Sequence, residues 1–530
     1  MKFVKFALVL AIALSLTASV YAETQSVKVS GDLTVRGLWR NDYEYRGSTP
    51  QDLGNGGPVT RTGFNVDSAN MAGVLAVPGP NQSWWMSTTE VQIDADLTDN
   101  VATVIRLANE RDWNVQNKNI AVNTTVAPNG LGGYTARAND FDVGVDLAYV
   151  KLKNFIYSPL TVSIGRQDLW FGKGFIVGSN HVFNNWQMGQ DTNLNAPEYT
   201  TFTAFDSIKA TLDYDPWTIT GIYSAVLENA IGDNDDVDLW GLNVGYKFDN
   251  YKAEAEGYWF FKGDNSLEKW DNKHNNDVST IGVRGSFDPI DSVTVAGEIA
   301  YQFGSYVGAR DQLAAMDRSA WATDISAEWR GLMDKCAWKP KLGIEYIYYS
   351  GDDQTQDNDL GIGMGATRKS GTYTGWDPMF RGKFDSAIRE FVGSYYATYD
   401  YQANPTGLPS AGDASFTNQN QLIFSGSVQP IESVTIKGNA NMFWTATHFV
   451  PNMQAVAQRA ALGWTPVLGN TGDQTRKGYI GTEFDIQTTW DYTEDVSFGL
   501  LTAWFVPSRE IYKDSSSVAS DIVGTCKVSF

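Results

Sequence analysis

Apolar and polar residues alternate with a period of two along one stretch after another of this chain. A β-strand places successive side chains on opposite faces, so this pattern predicts strands with one apolar and one polar face. In the first such stretch, one face carries Val27, Val29, Leu33, Val35 and Trp39. The other face carries Lys28, Ser30, Asp32, Thr34 and Arg36. The alternation recurs around residues 90–97, 240–248, 293–303 and 483–490.

The connections between the predicted strands alternate between very short turns and long polar segments. The short turns include Thr98–Asn100, Asp215–Pro216, Pro289–Asp291, Pro430–Glu432 and Thr493–Glu494, and the long segments include 41–83 and 351–418. A soluble sandwich also alternates, but one short edge and one long edge are typical of an outer-membrane barrel. Nine long loops and eight short turns predict an all-β, transmembrane antiparallel barrel of about eighteen strands. Its short turns are expected on the periplasmic side and its long loops on the extracellular side.

The beginning of the chain predicts export. Lys2 and Lys5 precede an apolar run, Phe6–Leu16, and small residues follow before Ala22. This order predicts a secretory signal peptide over residues 1–22 and a barrel domain over residues 23–530. The expected location is the bacterial outer membrane, with its lipid and lipopolysaccharide as partners.

The last predicted strand is amphipathic and ends in Phe530. Ile522, Gly524, Cys526, Val528 and Phe530 share its apolar face. This ending resembles the signal by which the barrel-assembly machinery recognises its clients. We therefore expect that machinery to be a partner of the chain.

Composition excludes several other classes of function. The net charge of −21 argues against a nucleic-acid partner, because phosphate binding needs a basic surface. Three histidines in separate loops and two distant cysteines predict no metal site and no cofactor. No nucleophile elbow and no convincing Ser/His/Asp arrangement is present, so an enzyme is not expected.

Function is therefore expected on the polar face of the strands. In hydrocarbon every backbone N–H and C=O group must pair within the protein, so the sheet must close and its polar face must line a lumen. The predicted pore-lining residues are Arg36, Arg106, Arg284, Lys437, Lys209, Glu298, Glu483 and Asp485. The four named first are predicted to lie near the narrowest part and to select permeants. The alternative is that these charges only solvate the wall and pair across strands.

Several short sequences resemble the alginate-export family of outer-membrane porins. They are Asp146–Leu152 (DLAYVKL), Ile164–Gln167 (IGRQ), Trp170–Gly174 (WFGKG), Tyr349–Asp353 (YSGDD), Gly375–Phe380 (GWDPMF), Tyr479–Asp485 (YIGTEFD) and Trp504–Pro507 (WFVP). The resemblance spans roughly residues 27–530, and the order of these sequences carries it. It implies an eighteen-strand barrel that passes an anionic polysaccharide or a related solute through a basic pore.

The sequence is compatible with two functions. The first is a channel through which anionic or neutral saccharide-like solutes diffuse along a charged lumen. The second is a surface adhesin or structural barrel whose lumen is plugged by long loops. The sequence leaves open whether the loop 351–418 folds into the lumen, and which solute passes.

Overall fold

The computed structural model describes a single sheet of antiparallel strands and the segments attached to it. The described residues are 26–41, 81–113, 143–180, 196–228, 236–249, 251–265, 275–306, 316–332, 335–352, 371–392, 416–447, 478–508, 510 and 518–530. The predicted signal peptide and most of the predicted loop 41–83 lie outside the described residues. Among the described residues, no helix is both long enough and apolar enough to cross a membrane.

Eighteen long strands form the wall, as the alternation predicts. The first nine are β1 Ser26–Asn41, β2 Asn81–Thr98, β3 Val101–Asp112, β4 Gly144–Leu152, β5 Leu160–Gln167, β6 Phe205–Tyr214, β7 Trp217–Leu227, β8 Val237–Lys247 and β9 Glu254–Asp264. The next four are β10 Val278–Ile290, β11 Val293–Tyr306, β12 Met316–Trp329 and β13 Lys341–Tyr349. A two-residue strand, β14 Thr372–Tyr373, pairs in parallel with β12 and is not part of the wall. The last five are β15 Gln419–Ile431, β16 Val434–Thr445, β17 Tyr479–Asp491, β18 Val496–Pro507 and β19 Ala519–Ser529.

The barrel closes between its first and last strands. β1 pairs with β2 on one side and with β19 on the other, in a register that runs from Asp32 opposite Ser529 to Asn41 opposite Ser520. Gly31 and Phe530 extend this pairing with two backbone hydrogen bonds of 2.9 Å. Along residues 31–41 of β1, closure pairs the two strands that would otherwise be the free edges of the sheet, as a hydrocarbon environment requires.

The two faces of the wall have the inverse polarity of a soluble protein. On the outer face, Ile281, Val283 and Ile299 are 45%, 58% and 51% exposed. On the inner face of the same strands, Thr280 and Gln302 are buried. An apolar outer wall around a polar interior is the arrangement that lipid on the outside favours.

Aromatic side chains form clusters at both ends of the strands. At the end with long connections, which we call the loop end, Trp85 lies 5.8 Å from Trp39 and 5.7 Å from Trp113 between ring centroids. At the opposite end, the turn end, Trp217 and Tyr246 are 4.7 Å apart. Tryptophan and tyrosine rings have an apolar body and a polar tip, so they suit the two membrane–water interfaces.

An arginine on the outer wall tests which face contacts lipid. Ile299 lies at the middle of β11, and Ile290 is 60% exposed at the turn end of β10. We expect Ile299→Arg to lower the free energy of unfolding in lipid vesicles by about 2–4 kcal/mol, and Ile290→Arg to lower it by about 0–1 kcal/mol, because the penalty depends on depth. Denaturant titration in vesicles measures both. Equal losses in the two variants would contradict the proposed membrane position of the wall.

Candidate functional site

Three segments at the loop end lie inside the barrel, against inward-facing strand residues. We call residues 168–180, 196–204 and 371–392 the first, second and third inner segments. The first and second belong to the connection between β5 and β6, and the third contains β14 and precedes β15. They lie where a solute that crosses the lumen must pass.

The first and third inner segments are bonded to each other through their backbones. The amide of Gly178 donates to the carbonyl of Phe380 at 2.7 Å, and the amide of Phe380 donates to Ile176 at 2.9 Å. The amide of Gly382 also donates to Gly174 at 2.9 Å. A Cβ atom on Gly382 would lie 2.7 Å from the Gly178 backbone, so the approach requires glycine.

Apolar side chains pack these two segments against the wall. The rings of Phe380 and Phe205 meet edge to face, with centroids 5.6 Å apart. The wall contributes Phe205, Ile222, Leu239, Tyr258, Phe260, Val278, Ala300, Ile347 and Ile423 to this buried cluster. Each large apolar side chain buried in this way stabilises the packing by about 1.5–3 kcal/mol. The inner segments are therefore a packed layer.

Ion pairs fix the third inner segment on one side of the lumen. Lys262 lies 2.6 Å from Asp377, and Arg318 lies 3.9 Å from it. Burial raises the pKa of the Asp377 carboxyl, but the two cations outweigh burial and hold that pKa below its usual range. Further along the segment, Lys383 lies 2.6 Å from Asp324 of β12.

Two of the predicted acids hold the start of a π-helix, Ala387–Val392. The carboxylate of Glu483 accepts the amides of Ile388 at 2.6 Å and Arg389 at 2.9 Å. The first amide of the helix donates to Asp485 at 3.3 Å. The first amides of a helix have no partner within it, so carboxylates at this position satisfy them.

The second inner segment is held by arginines of β1. Arg40 forms a buried ion pair with Glu198, and it lies 3.4 Å from Asp521 of β19. The guanidinium of Arg36 lies 4.8 Å from the centroid of the Tyr199 ring. Arg36, predicted near the narrowest part, therefore contacts an inner segment through a cation–π interaction.

Arg106 and Arg284 are both surrounded by carboxylates. The carboxylates around Arg106 are Asp146, Glu90 at 3.5 Å and Asp168 at 3.7 Å. Those around Arg284 are Glu254 at 2.7 Å and Glu256. Asp168 belongs to the first inner segment, and a Cβ on Gly172 of that segment would lie 2.9 Å from Arg284. Both arginines therefore lie against the inner segments.

The two predicted lysines differ from these arginines. No described carboxylate lies within ion-pair distance of Lys209 or Lys437. Lys209 lines a cavity beside the first inner segment. Lys437 is exposed three residues after β16 begins, at the turn end, and makes no described contact with an inner segment.

The third predicted acid, Glu298, is buried on the inner face of β11. It accepts a hydrogen bond of 2.7 Å from the hydroxyl of Tyr258. Of the eight predicted residues, the structure thus places the three arginines and the acids Glu483 and Asp485 against the inner segments, and Lys209 beside the first of them. The alternative prediction, that these charges only pair across strands, fits Arg284, because its partners Glu254 and Glu256 lie on the neighbouring strand β9.

The cavity beside the first inner segment has a volume of about 340 Å³. Its lining comes from β6, β7, β8, β9 and the tip of the first inner segment. The polar side chains in it are Lys209, Thr211, Thr218, Thr220, Asn243, Lys247, Glu254 and Glu256, and the aromatic ones are Trp170, Phe171 and Tyr246. Among the described residues, no group of three or more His, Cys, Asp or Glu is arranged to hold a metal ion.

Strand alternation missed the residues that dock the inner segments. Lys262, Arg318 and the apolar inward residues Tyr258 and Phe260 all contact or support them. The run Tyr258–Phe261 (YWFF) is apolar on both faces, which was the available signal. An inward face that is apolar over part of a strand indicates that protein, and not water, covers it.

The family model for alginate export matches residues 61–524 of the chain. The chain belongs to the alginate export family. This member of the family is an outer-membrane channel, which confirms the predicted outer-membrane location and the predicted eighteen-strand barrel. No curated protein sequence matches the chain.

Solved structures similar to this family member include three porins. OccAB1 of Acinetobacter baumannii has 10% identity and a TM-score of 0.49, with 96% of this chain and 98% of that chain covered. OccD3 of Pseudomonas aeruginosa has 9% identity and a TM-score of 0.44, with 96% and 93% covered. OccK2 of Pseudomonas aeruginosa in complex with glucuronate has 9% identity and a TM-score of 0.45, with 96% and 99% covered.

The sequence left open whether the loop 351–418 folds into the lumen, and its described part does so. Residues 371–392 lie within the barrel, because buried ion pairs and apolar contacts hold them against the wall. Residues 353–370 and 393–415 lie outside the described residues.

The contact of Glu483 with the π-helix can be tested by thiol labelling. In a background with Cys336→Ser and Cys526→Ser, Ile388→Cys places a thiol at a buried position. We expect Glu483→Ala to speed its modification by a water-soluble maleimide at least tenfold, because two hydrogen bonds to a charged acceptor are lost, each of about 1.5–3 kcal/mol.

The matched control for this labelling is Asp288→Ala. Asp288 accepts a hydrogen bond of 2.6 Å from Thr294 at the turn end and has no described contact with the third inner segment, so its loss leaves the π-helix in place. Equal labelling rates with and without Glu483 would show that this carboxylate does not hold the third inner segment.

Proposed function

We propose that this chain is an outer-membrane channel through which anionic saccharide-like solutes diffuse. Membership of the alginate export family supports transport of such solutes. The observation that carries the proposal is the 340 Å³ cavity beside the first inner segment, where Lys209 has no described carboxylate within ion-pair distance. An ammonium group of this kind attracts an anion that enters the lumen.

Local charge, and not net charge, selects the permeant. At physiological salt the Debye length is about 8 Å, so acids elsewhere on this chain of net charge −21 are largely screened from the cavity. Within the cavity, Glu254 and Glu256 are both bound to Arg284. Arg284 offsets one of these two negative charges, and Lys209 and Lys247 together outweigh the other, so the field in the cavity is positive.

The paired arginines have a different role in this proposal. Arg106 faces three carboxylates and Arg284 faces two, so each arginine offsets one of those negative charges and reduces the repulsion that an anion meets beside the inner segments. Arg36 supports the second inner segment through Tyr199. Lys437, at the turn end, adds positive charge to the periplasmic mouth. Removal of Arg106 or Arg284 would expose uncompensated acids and oppose anion entry.

A structural barrel with a plugged lumen is the alternative function. The packed layer of the first and third inner segments favours it, because those segments occupy part of the cross-section. A recording of single-channel current separates the two functions, since a plugged barrel carries no steady current.

We also propose which lipids and which assembly machinery the channel contacts. The exposed apolar outer wall supports contact with outer-membrane lipid and lipopolysaccharide. Phe530 ends the strand that closes the barrel, which supports recognition by the barrel-assembly machinery. We further propose that residues 1–22 are the signal peptide that directs export, and that the chain has no enzymatic activity.

A planar-bilayer recording tests the function directly. The refolded protein is expected to give stable single-channel currents that uronate oligomers interrupt from the side of addition. A neutral oligosaccharide of the same length should interrupt them at higher concentration. Absence of current under all salt conditions would favour the plugged barrel.

Lys209→Gln tests the origin of anion preference. At about 6 Å in a water-like medium one charge attracts an anion by roughly 0.7 kcal/mol and repels a cation by the same amount, so the anion-to-cation permeability ratio should fall about tenfold. The ratio is measured as a reversal potential across a salt gradient. The control Lys252→Gln removes an exposed lysine at the turn between β8 and β9, 3.7 Å from Asp288, and should leave the ratio unchanged. Equal ratios in wild type and Lys209→Gln would contradict the assignment.

A further inference from the structure

One tryptophan in the first inner segment is both exposed and rigidly supported. Trp170 is 55% exposed and lines the cavity that contains Lys209. Its indole N–H donates a hydrogen bond of 3.1 Å to the carbonyl of Gly172. An exposed aromatic ring in a lumen is in contact with whatever passes through it.

Three glycines support the ring from behind. A Cβ atom on Gly174 would lie 2.5 Å from Trp170 Cζ2, one on Gly178 would lie 3.0 Å from Cε3, and one on Gly382 would lie 2.7 Å from Cζ3. Any side chain at Gly174 or Gly382 would collide with the ring, because real Cβ atoms do not approach so closely. The indole therefore rests on the bare backbone of two inner segments, which fixes its orientation.

The cavity in front of the ring is lined by hydroxyl, amide and ammonium groups, and by the carboxylates of Glu254 and Glu256, which both pair with Arg284. The hydroxyls of Thr211 and Thr220 bond to each other at 3.2 Å, Thr218 donates to Asp213 at 3.2 Å, and the Asn243 amide donates to Glu256 at 3.1 Å. Each of these groups has further hydrogen-bonding capacity toward the cavity. Lys209 supplies an ammonium group to the same space. The volume of 340 Å³ falls in the range of about 300–1,000 Å³ that small-molecule sites occupy.

These groups match the chemistry of a hexuronate ring. A pyranose has an apolar C–H face that packs on an aromatic ring, and hydroxyl groups at its edge that bond to hydroxyls and amides. A uronate adds one carboxylate, which pairs with an ammonium. A site that selects anions by charge alone would not need the supported ring of Trp170, and a site for neutral sugars would not need Lys209. The presence of both favours a uronate.

We propose that Trp170 and the cavity beside it form a binding subsite for one uronate residue of a passing saccharide. The sugar ring stacks on the exposed face of Trp170, and its carboxylate pairs with Lys209. The second amide hydrogen of Asn243 donates to a sugar hydroxyl, and the threonine oxygens accept from others, since a hydroxyl oxygen has two acceptor positions. This subsite rests on the proposed channel function and names the point in the lumen where the solute pauses.

Testing each of three variants with each of three probes separates the contribution of ring stacking from the contribution of charge. The variants are Trp170→Ala, Trp170→Phe and Lys209→Gln, each checked for folding by heat-modifiable migration in gels. The probes are a uronate oligomer, a neutral oligosaccharide of the same length and an oligoglutamate of the same charge. The readout is the probe concentration that halves the single-channel current.

We expect Trp170→Ala to raise the half-blocking concentration of both saccharides about tenfold and to leave that of oligoglutamate unchanged. Trp170→Phe, which keeps an aromatic face, should restore most of the saccharide block. Lys209→Gln should weaken block by the uronate and by oligoglutamate, and leave block by the neutral saccharide unchanged.

Two outcomes would overturn the subsite. The first is that Trp170→Ala leaves saccharide block at its wild-type concentration. The second is that Trp170→Ala weakens block by oligoglutamate as strongly as block by saccharides, which indicates a change in pore shape only. A wild-type channel that conducts but is never blocked by uronates would instead reject the proposed function itself.

Discussion

The pairing of every backbone N–H and C=O group within the wall is the constraint on which this structure depends. In hydrocarbon an unpaired group costs several kcal/mol, so a spanning sheet cannot keep a free edge. β1 and β19 meet this requirement by pairing along ten residues, and Phe530 extends the pairing to Gly31. Once the sheet closes, its polar face has only the lumen to occupy, and function must lie there.

Buried charged side chains fix the arrangement of the lumen, because a buried charge without a partner lowers the stability of the fold. Asp377, Glu483 and Lys383 are buried or nearly buried, and each meets its partner on the wall or on an inner segment. Removal of one partner from such a contact leaves an uncompensated charge, which costs about 3–5 kcal/mol. The inner segments thus have one favoured position, and the cavity with Lys209 and Trp170 results from that position.

The sequence predicted the wall well because period two is a local property of a strand. Val27, Val29, Leu33 and Trp39 are exposed on the outer face as the alternation requires, and the strand number of eighteen is confirmed. The site was predicted only in part. Parity gives the face on which Arg106 or Glu483 lies, but not its partner, because Asp168 and Ile388 come from distant connections. A long polar loop carries no periodic signal for whether it folds inward, so the third inner segment could not be foreseen.

The central claim is that the inner segments narrow the lumen into an anion-preferring aqueous path without closing it. Osmotic swelling of proteoliposomes measures this most directly, since it reports net entry of uncharged and charged solutes through many channels at once. We expect rapid swelling in glucuronate, slower swelling in glucose and the slowest swelling in glucosamine, which has a similar size and the opposite charge. Swelling no faster than in protein-free liposomes, or faster in glucosamine than in glucuronate, would contradict an anion-preferring open path.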